Sequence, residues 1–116
     1  MTRFESSNGG NTMEGIWYAH FTSGPSQGDG LAVLQNGAIL GGDPTHTYKG
    51  TYQEDGALVY ANVLVAPHIE AGAPSDIEHP FSIFLKGSIN GDIARVSGHP
   101  NNRPDVTVSV ELHKGA

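Results

Sequence analysis

For chemistry, this chain of 116 residues offers six histidines, twelve acidic residues and no cysteine. The absence of cysteine removes thiolate nucleophiles, Cys-ligated metals and disulfides together. His20, His46, His68, His79, His99 and His113 fall singly along the chain, with no His-x-His strand pair and no His-x-x-x-His. Metal sites need such spacings to converge on one ion, so no metal site is expected. Asp43 with His46, or Ser97 with His99, could form an acid–base pair. Catalysis also needs a nucleophile, a base and an orienting group held together in a dry pocket, and no nucleophile elbow is present to place them. Asp43 follows Gly41-Gly42 at a corner, where aspartate commonly bonds its own backbone. No helix follows those glycines, so they do not form a phosphate cradle. The expectation is a protein without catalytic residues or cofactor, not an enzyme.

The elements that carry these residues are all strands. The stretch Leu34 to Tyr52 sets the pattern, because three antiparallel strands are written in under twenty residues. Asn36-Gly37 suits a type I′ hairpin turn, Gly41-Gly42-Asp43-Pro44 makes a corner, and Thr47 to Tyr52 alternates polar residues with aromatics or glycine. Before it, Gly15 to Thr22 alternates, a Ser23 to Asp29 loop follows, and Gly30 to Gln35 forms the second strand. After it, Glu54-Asp55-Gly56 turns the chain into Ala57 to Val65. A proline-bearing connection, 66–80, is long enough to be a lid over a barrel mouth. Phe81 to Ile89 and Ile93 to Gly98 follow, joined by Asn90-Gly91, a second type I′ signal. Val106, Val108, Val110 and Leu112 then alternate with Thr107, Ser109, Glu111 and His113.

The even-numbered connections read as tight, whereas the first, fifth and seventh read as long. In a meander, even connections share one end and odd ones the other. The expected fold class is therefore all-β: an eight-stranded antiparallel up-and-down barrel, lipocalin-like, which closes every edge. Residues 13–116 form this single domain, and 1–12 read as a flexible tail without a signal-peptide core.

Alternation aims Trp17, Phe21, Tyr48, Tyr52, Phe81, Ile83 and Leu85 inward, with Ala19, Gly50 and Gly87 leaving room. An eight-stranded barrel is filled by side chains or holds one small ligand. So many aromatics favour a filled core. If a ligand is held instead, Trp17, Phe21, Tyr48, Tyr52 and Phe81 are the residues expected to touch it.

A net charge of −6, with its basic residues scattered, argues against nucleic acid and for a basic partner. The apolar runs are too short to cross a bilayer as helices, and a cytoplasmic location is expected. In the fifth strand Val59, Val63 and Val65 oppose Leu58, Tyr60 and Leu64, so apolar residues lie on both faces. An exposed apolar face predicts self-association as a homodimer.

The spacing N-G-x-x-x-G-G-D, read from Asn36 to Asp43, and the Tyr48-Lys49-Gly50 strand resemble the GrlR-type family, negative regulators of type III secretion. The start Gly15-Ile16-Trp17-Tyr18 and the acidic pair Glu54-Asp55 agree, and the likeness covers roughly Met13 to Leu112. It implies a lipocalin-like dimeric barrel that acts without chemistry by sequestering a transcriptional activator. The family's acidic run Glu-Asp-Glu-Asp maps here to Glu54, Asp55, Gly56 and Ala57, so the resemblance makes Glu54 and Asp55 the partner-binding residues. Gly15-Ile16-Trp17 is also similar to the G-x-W start of lipocalins, whose tryptophan plugs the tight end. The arginine that would meet it near the last strand has no clear match here, Lys114 being the nearest basic residue.

Overall fold

The structure, a computed structural model, describes residues 13–68 and 80–115. The expected N-terminal tail and most of the expected lid lie outside the described residues. Eight strands follow one another: β1 (Gly15–Ser23), β2 (Ser26–Gln35), β3 (Ala38–Gly42), β4 (His46–Asp55), β5 (Leu58–Pro67), β6 (Phe81–Asn90), β7 (Ile93–Pro100) and β8 (Val108–Lys114). Each pairs antiparallel with the next, and β1 pairs with β8, so the sheet closes. The protein is an up-and-down barrel, as the alternation and the turns require.

Three two-residue hairpins form the tight end. Asn36 and Gly37 both adopt positive φ, at 53° and 82°, as a type I′ turn demands. The other two differ from expectation. The β4–β5 turn is centred on residues 56–57 and the β6–β7 turn on 91–92, with positive φ only at Gly56 and Gly91. Glycine at the first central position alone is the signature of a II′ turn. Glu54 and Asp55 consequently belong to β4, and Asn90 to β6, instead of to turns.

The opposite end carries the remaining connections, but the first is not long. Gly24-Pro25 makes a two-residue turn, and the Ser26 to Asp29 segment read as loop is strand, paired with β1 from Thr22↔Gln27 to His20↔Asp29. Pairing overrides the glycine-rich composition here. Among the described residues, the corner at 43–45 and the connection at 101–107 belong to this looser end.

Alternation fixes the faces. On β5, Val59, Ala61, Val63 and Val65 are buried, while Leu58 and Leu64 are exposed. On β1, Trp17 and Ala19 are buried and Tyr18 is outside. A fully buried Val, Leu or Ile contributes about 1.5–3 kcal/mol, and buried residues from every strand make one inner cluster.

Candidate functional site

The inner cluster does not fill the barrel. A cavity of about 300 Å³ remains, walled by side chains from all eight strands. This corrects the expectation of a core filled by aromatics. The reason lies in the small residues of the wall. Ala19, Ala32 and Ala61 face inward where bulkier residues would meet across the axis. Gly50 and Gly87 contribute differently from the expectation that they leave room. A Cβ on either would stand 1.9 Å from Asn62 O or 1.8 Å from Arg95 O, so their space is taken by the neighbouring strand. They allow close strand approach, not cavity volume.

The tight end is plugged. Trp17 and Met13 are fully buried there, and the Trp17 indole Nε1–H donates to the Met13 carbonyl at 2.9 Å. Lys114 Nζ lies 5.6 Å from the centre of the Trp17 ring, a cation–π contact. Glu14 ties the plug to the wall, with Oε2 accepting the Asn36 N–H at 2.7 Å and the Tyr52 hydroxyl at 3.2 Å. Burial pushes the Tyr52 phenol up, and the nearby Glu14 and Glu54 add to this against an opposing hydrogen bond at Gly37.

At the other end the wall carries polar side chains, Ser23, Asp43, His46 and Tyr48. Asp43 turns back on its own backbone as expected: Oδ1 accepts Thr45 N–H at 2.8 Å, His46 N–H at 2.7 Å and the Thr45 hydroxyl at 3.0 Å. Its Oδ2 accepts the Tyr48 hydroxyl in a short hydrogen bond. Burial alone would raise the Asp43 carboxyl, but the bonds from Tyr48, Thr45 and His46 outweigh it and hold the group below its ordinary value. Burial and the adjacent carboxylate push the Tyr48 phenol far up, so it stays protonated as the donor. The Tyr48 ring meets Phe21 edge-on, with centroids 6.2 Å apart. With the Thr45 hydroxyl hydrogen given to Asp43, the 2.7 Å contact between Thr45 Oγ1 and His46 Nδ1 requires the hydrogen on Nδ1.

Of the five proposed ligand-touching residues, Phe21, Tyr48, Tyr52 and Phe81 line the cavity. Trp17 does not, because it is the plug beneath the floor that Met13 forms. Glu54 and Asp55 are not side by side on a turn. As neighbours on β4 they face opposite ways: Asp55 is exposed, whereas Glu54 is half-buried and its Oε2 accepts the Met13 N–H at 3.3 Å.

The histidines are dispersed among local partners. His20 bonds Asp29 at 2.7 Å, His99 bonds the Val106 carbonyl at 2.8 Å, and His113 bonds Glu111 at 2.8 Å. His79 lies outside the described residues. Among the described residues no three histidine or carboxylate groups are gathered for one metal ion. Asp43 and His46 are 3.8 Å apart with Thr45 bridging them, and Ser97 and His99 are both on the outer surface.

Sequence reasoning missed Met13 as the plug's partner and the Asp43–Tyr48 bond. The second was half visible. Asp43 sat at a corner and Tyr48 pointed inward, but only the Gly41↔Tyr48 register of β3 and β4 brings the two together. A further feature lies outside. Ile16, Tyr18, Leu31, Val33 and Leu40 are all exposed and adjacent, through the pairs Ile16↔Val33, Tyr18↔Leu31 and Val33↔Leu40.

Compared with models of known families the chain matches none, and no curated protein is significantly similar to it. The fold and this cavity are what bear on function. No helix among the described residues is long and apolar enough to cross a membrane.

Proposed function

We propose that this protein is a non-enzymatic, cytoplasmic binding protein whose barrel holds one small, largely apolar molecule. The observation that carries this reading is the cavity of about 300 Å³, plugged at one end and walled almost wholly by apolar side chains. Such concave apolar sites with a few convergent polar groups are the common form of small-molecule sites. An apolar ligand entering it would replace lost wall-to-wall contact, which an empty cavity forfeits. The test is a fluorescence titration with a phenylnaphthylamine probe, which brightens in apolar surroundings. Wild type should bind it saturably. Ala61→Phe, which places a ring into the cavity, should abolish binding while leaving the far-ultraviolet circular dichroism of the barrel unchanged. Equal binding by both proteins would place the probe on the surface and refute the reading.

A second reading is capture of a protein partner in the manner of the GrlR-type family, with a basic transcriptional activator as the target. It is favoured by the exposed apolar cluster of Ile16, Tyr18, Leu31, Val33 and Leu40, which also suits a second copy of this chain. If acidic residues steer that partner, Asp55 bears the role more than Glu54, whose carboxylate is engaged with Met13. Asp55→Ala should slow association with a basic activator and reduce its salt dependence. Glu54→Ala should act mainly on stability. Unchanged association in Asp55→Ala, measured by surface plasmon resonance, would remove this residue from the interface.

A further inference from the structure

The polar corner of the cavity says which end-group a ligand can present there. We propose that the ligand carries a hydrogen-bond donor at the end that reaches Asp43 and Tyr48, an amine or alcohol and not a carboxylate. This rests on the cavity reading above and adds the chemical class of the ligand.

Asp43 bears the one permanent charge among the described residues lining the cavity, and its side chain is only 6% exposed. No described lysine or arginine pairs with it. Each oxygen of an ionised carboxylate has two lone pairs, and one lone pair can be shared by more than one donor. Oδ1 already accepts three hydrogen bonds, all from the 43–46 corner, whereas Oδ2 accepts one, from Tyr48. The vacant acceptor position is therefore on Oδ2, the oxygen bonded to a ring of the cavity wall.

The Tyr48 hydroxyl has a single hydrogen, which it donates to Asp43. What remains on that oxygen is acceptor capacity. Two adjacent groups at the corner thus accept and neither can donate. The hydrogen bonds that hold Asp43 below its ordinary value keep the arrangement charged at neutral pH. A ligand carboxylate reaching Asp43 and Tyr48 would meet like charge and find no donor from either group. The wall's other polar side chains at this end are Ser23 and His46, and the Nδ1 hydrogen of His46 is directed to Thr45. An alcohol satisfies Oδ2 with one hydrogen, and an ammonium does so while neutralising the charge. Beyond the corner, Phe21 and Phe81 give way to the valines and leucines of the wall, which accommodate an apolar body.

The test uses the full chain and the phenylnaphthylamine probe at about pH 8, where histidine is neutral and alkylamines are charged. The competitors are an n-alkyl amine, alcohol and carboxylate of equal chain length. Amine and alcohol should displace the probe at concentrations at least about tenfold below the carboxylate, a difference of roughly 1.4 kcal/mol. Asp43→Asn should narrow that gap. Because this variant removes a corner anchor, its fold is checked by circular dichroism, and if it does not fold the series on the native protein decides. A carboxylate that competes as well as the amine, with the probe bound, overturns the end-group assignment and leaves the cavity reading standing. A native protein that binds no probe overturns both.

Discussion

Asp43 shows how one side chain can serve the fold and the cavity together. One oxygen closes the 43–46 corner and the other holds the Tyr48 ring against the cavity. The linkage has a definite sign. The folded-state carboxyl lies below its ordinary value of 3.8, so its contribution to stability is complete above that pH. It is lost as pH falls through the folded value. Wild type should therefore lose thermal stability steeply below about pH 4, and Asp43→Asn should lose less over the same range while starting from a lower melting temperature. Parallel acid profiles for the two proteins, followed by circular dichroism, would show that the carboxylate carries no such term. Alternation made the inward direction of Tyr48 and Tyr52 legible, and corner chemistry did the same for the Asp43 turn. The bond between Asp43 and Tyr48 was not legible, because it depends on the register of β3 against β4. Nor was Met13, which is fully buried and whose carbonyl accepts from the Trp17 indole.

At the scale of elements, glycine decides how tightly the strands coil. Gly87 on β6 lies so close to β7 that a Cβ would overlap Arg95 O. Gly87→Ala should cost about 1–3 kcal/mol, the usual penalty for forcing volume into a packed place, read as a lowered urea midpoint. Gly24, by contrast, has nothing within 4 Å of a Cβ, and its cost would be backbone strain from φ +59° alone. An unchanged midpoint for Gly87→Ala would mean that the sheet flexes freely at this point. Glycine also explains why β2 begins at Ser26 and not at Gly30. Ser26 to Gly30 has the composition of a loop, yet it pairs with β1 throughout. A Cβ on Gly28 would stand 2.7 Å from the Phe21 ring, so the glycine makes room for an aromatic across the strand pair. Composition records that the segment is permissive, but not which neighbour needs it to be. The hairpins at 56–57 and 91–92 shifted by the same logic, since one glycine at the first position is enough for a II′ turn.

The whole molecule is polarised along the barrel axis. Met13, Trp17 and Lys114 close the tight end, and the polar corner and longer connections occupy the other. Closure and strand order were readable because every turn signal separated two alternating runs. The cavity was not, since its volume depends on how closely the alanine-bearing strands approach across the axis. The outer wall divides as well. The exposed apolar residues of β1, β2 and β3 border the β7–β8 face, because Tyr18 on β1 is paired with His113 on β8. On that face Arg95 forms an ion pair with Glu111, and His113 hydrogen-bonds to the same carboxylate. There His113 and Arg95 hold the exposed Glu111 carboxyl below its usual range. The central claim is that the interior, and not this outer apolar face, receives a small molecule. Methyl-resolved NMR during titration with an n-alkyl alcohol tests it most directly. The account predicts that Val63, Leu85 and Val110 methyls shift together and saturate at one ligand per barrel, while those of Ile16, Val33 and Leu40 stay in place. Shifts confined to Ile16, Val33 and Leu40, with the interior methyls unmoved, would contradict it.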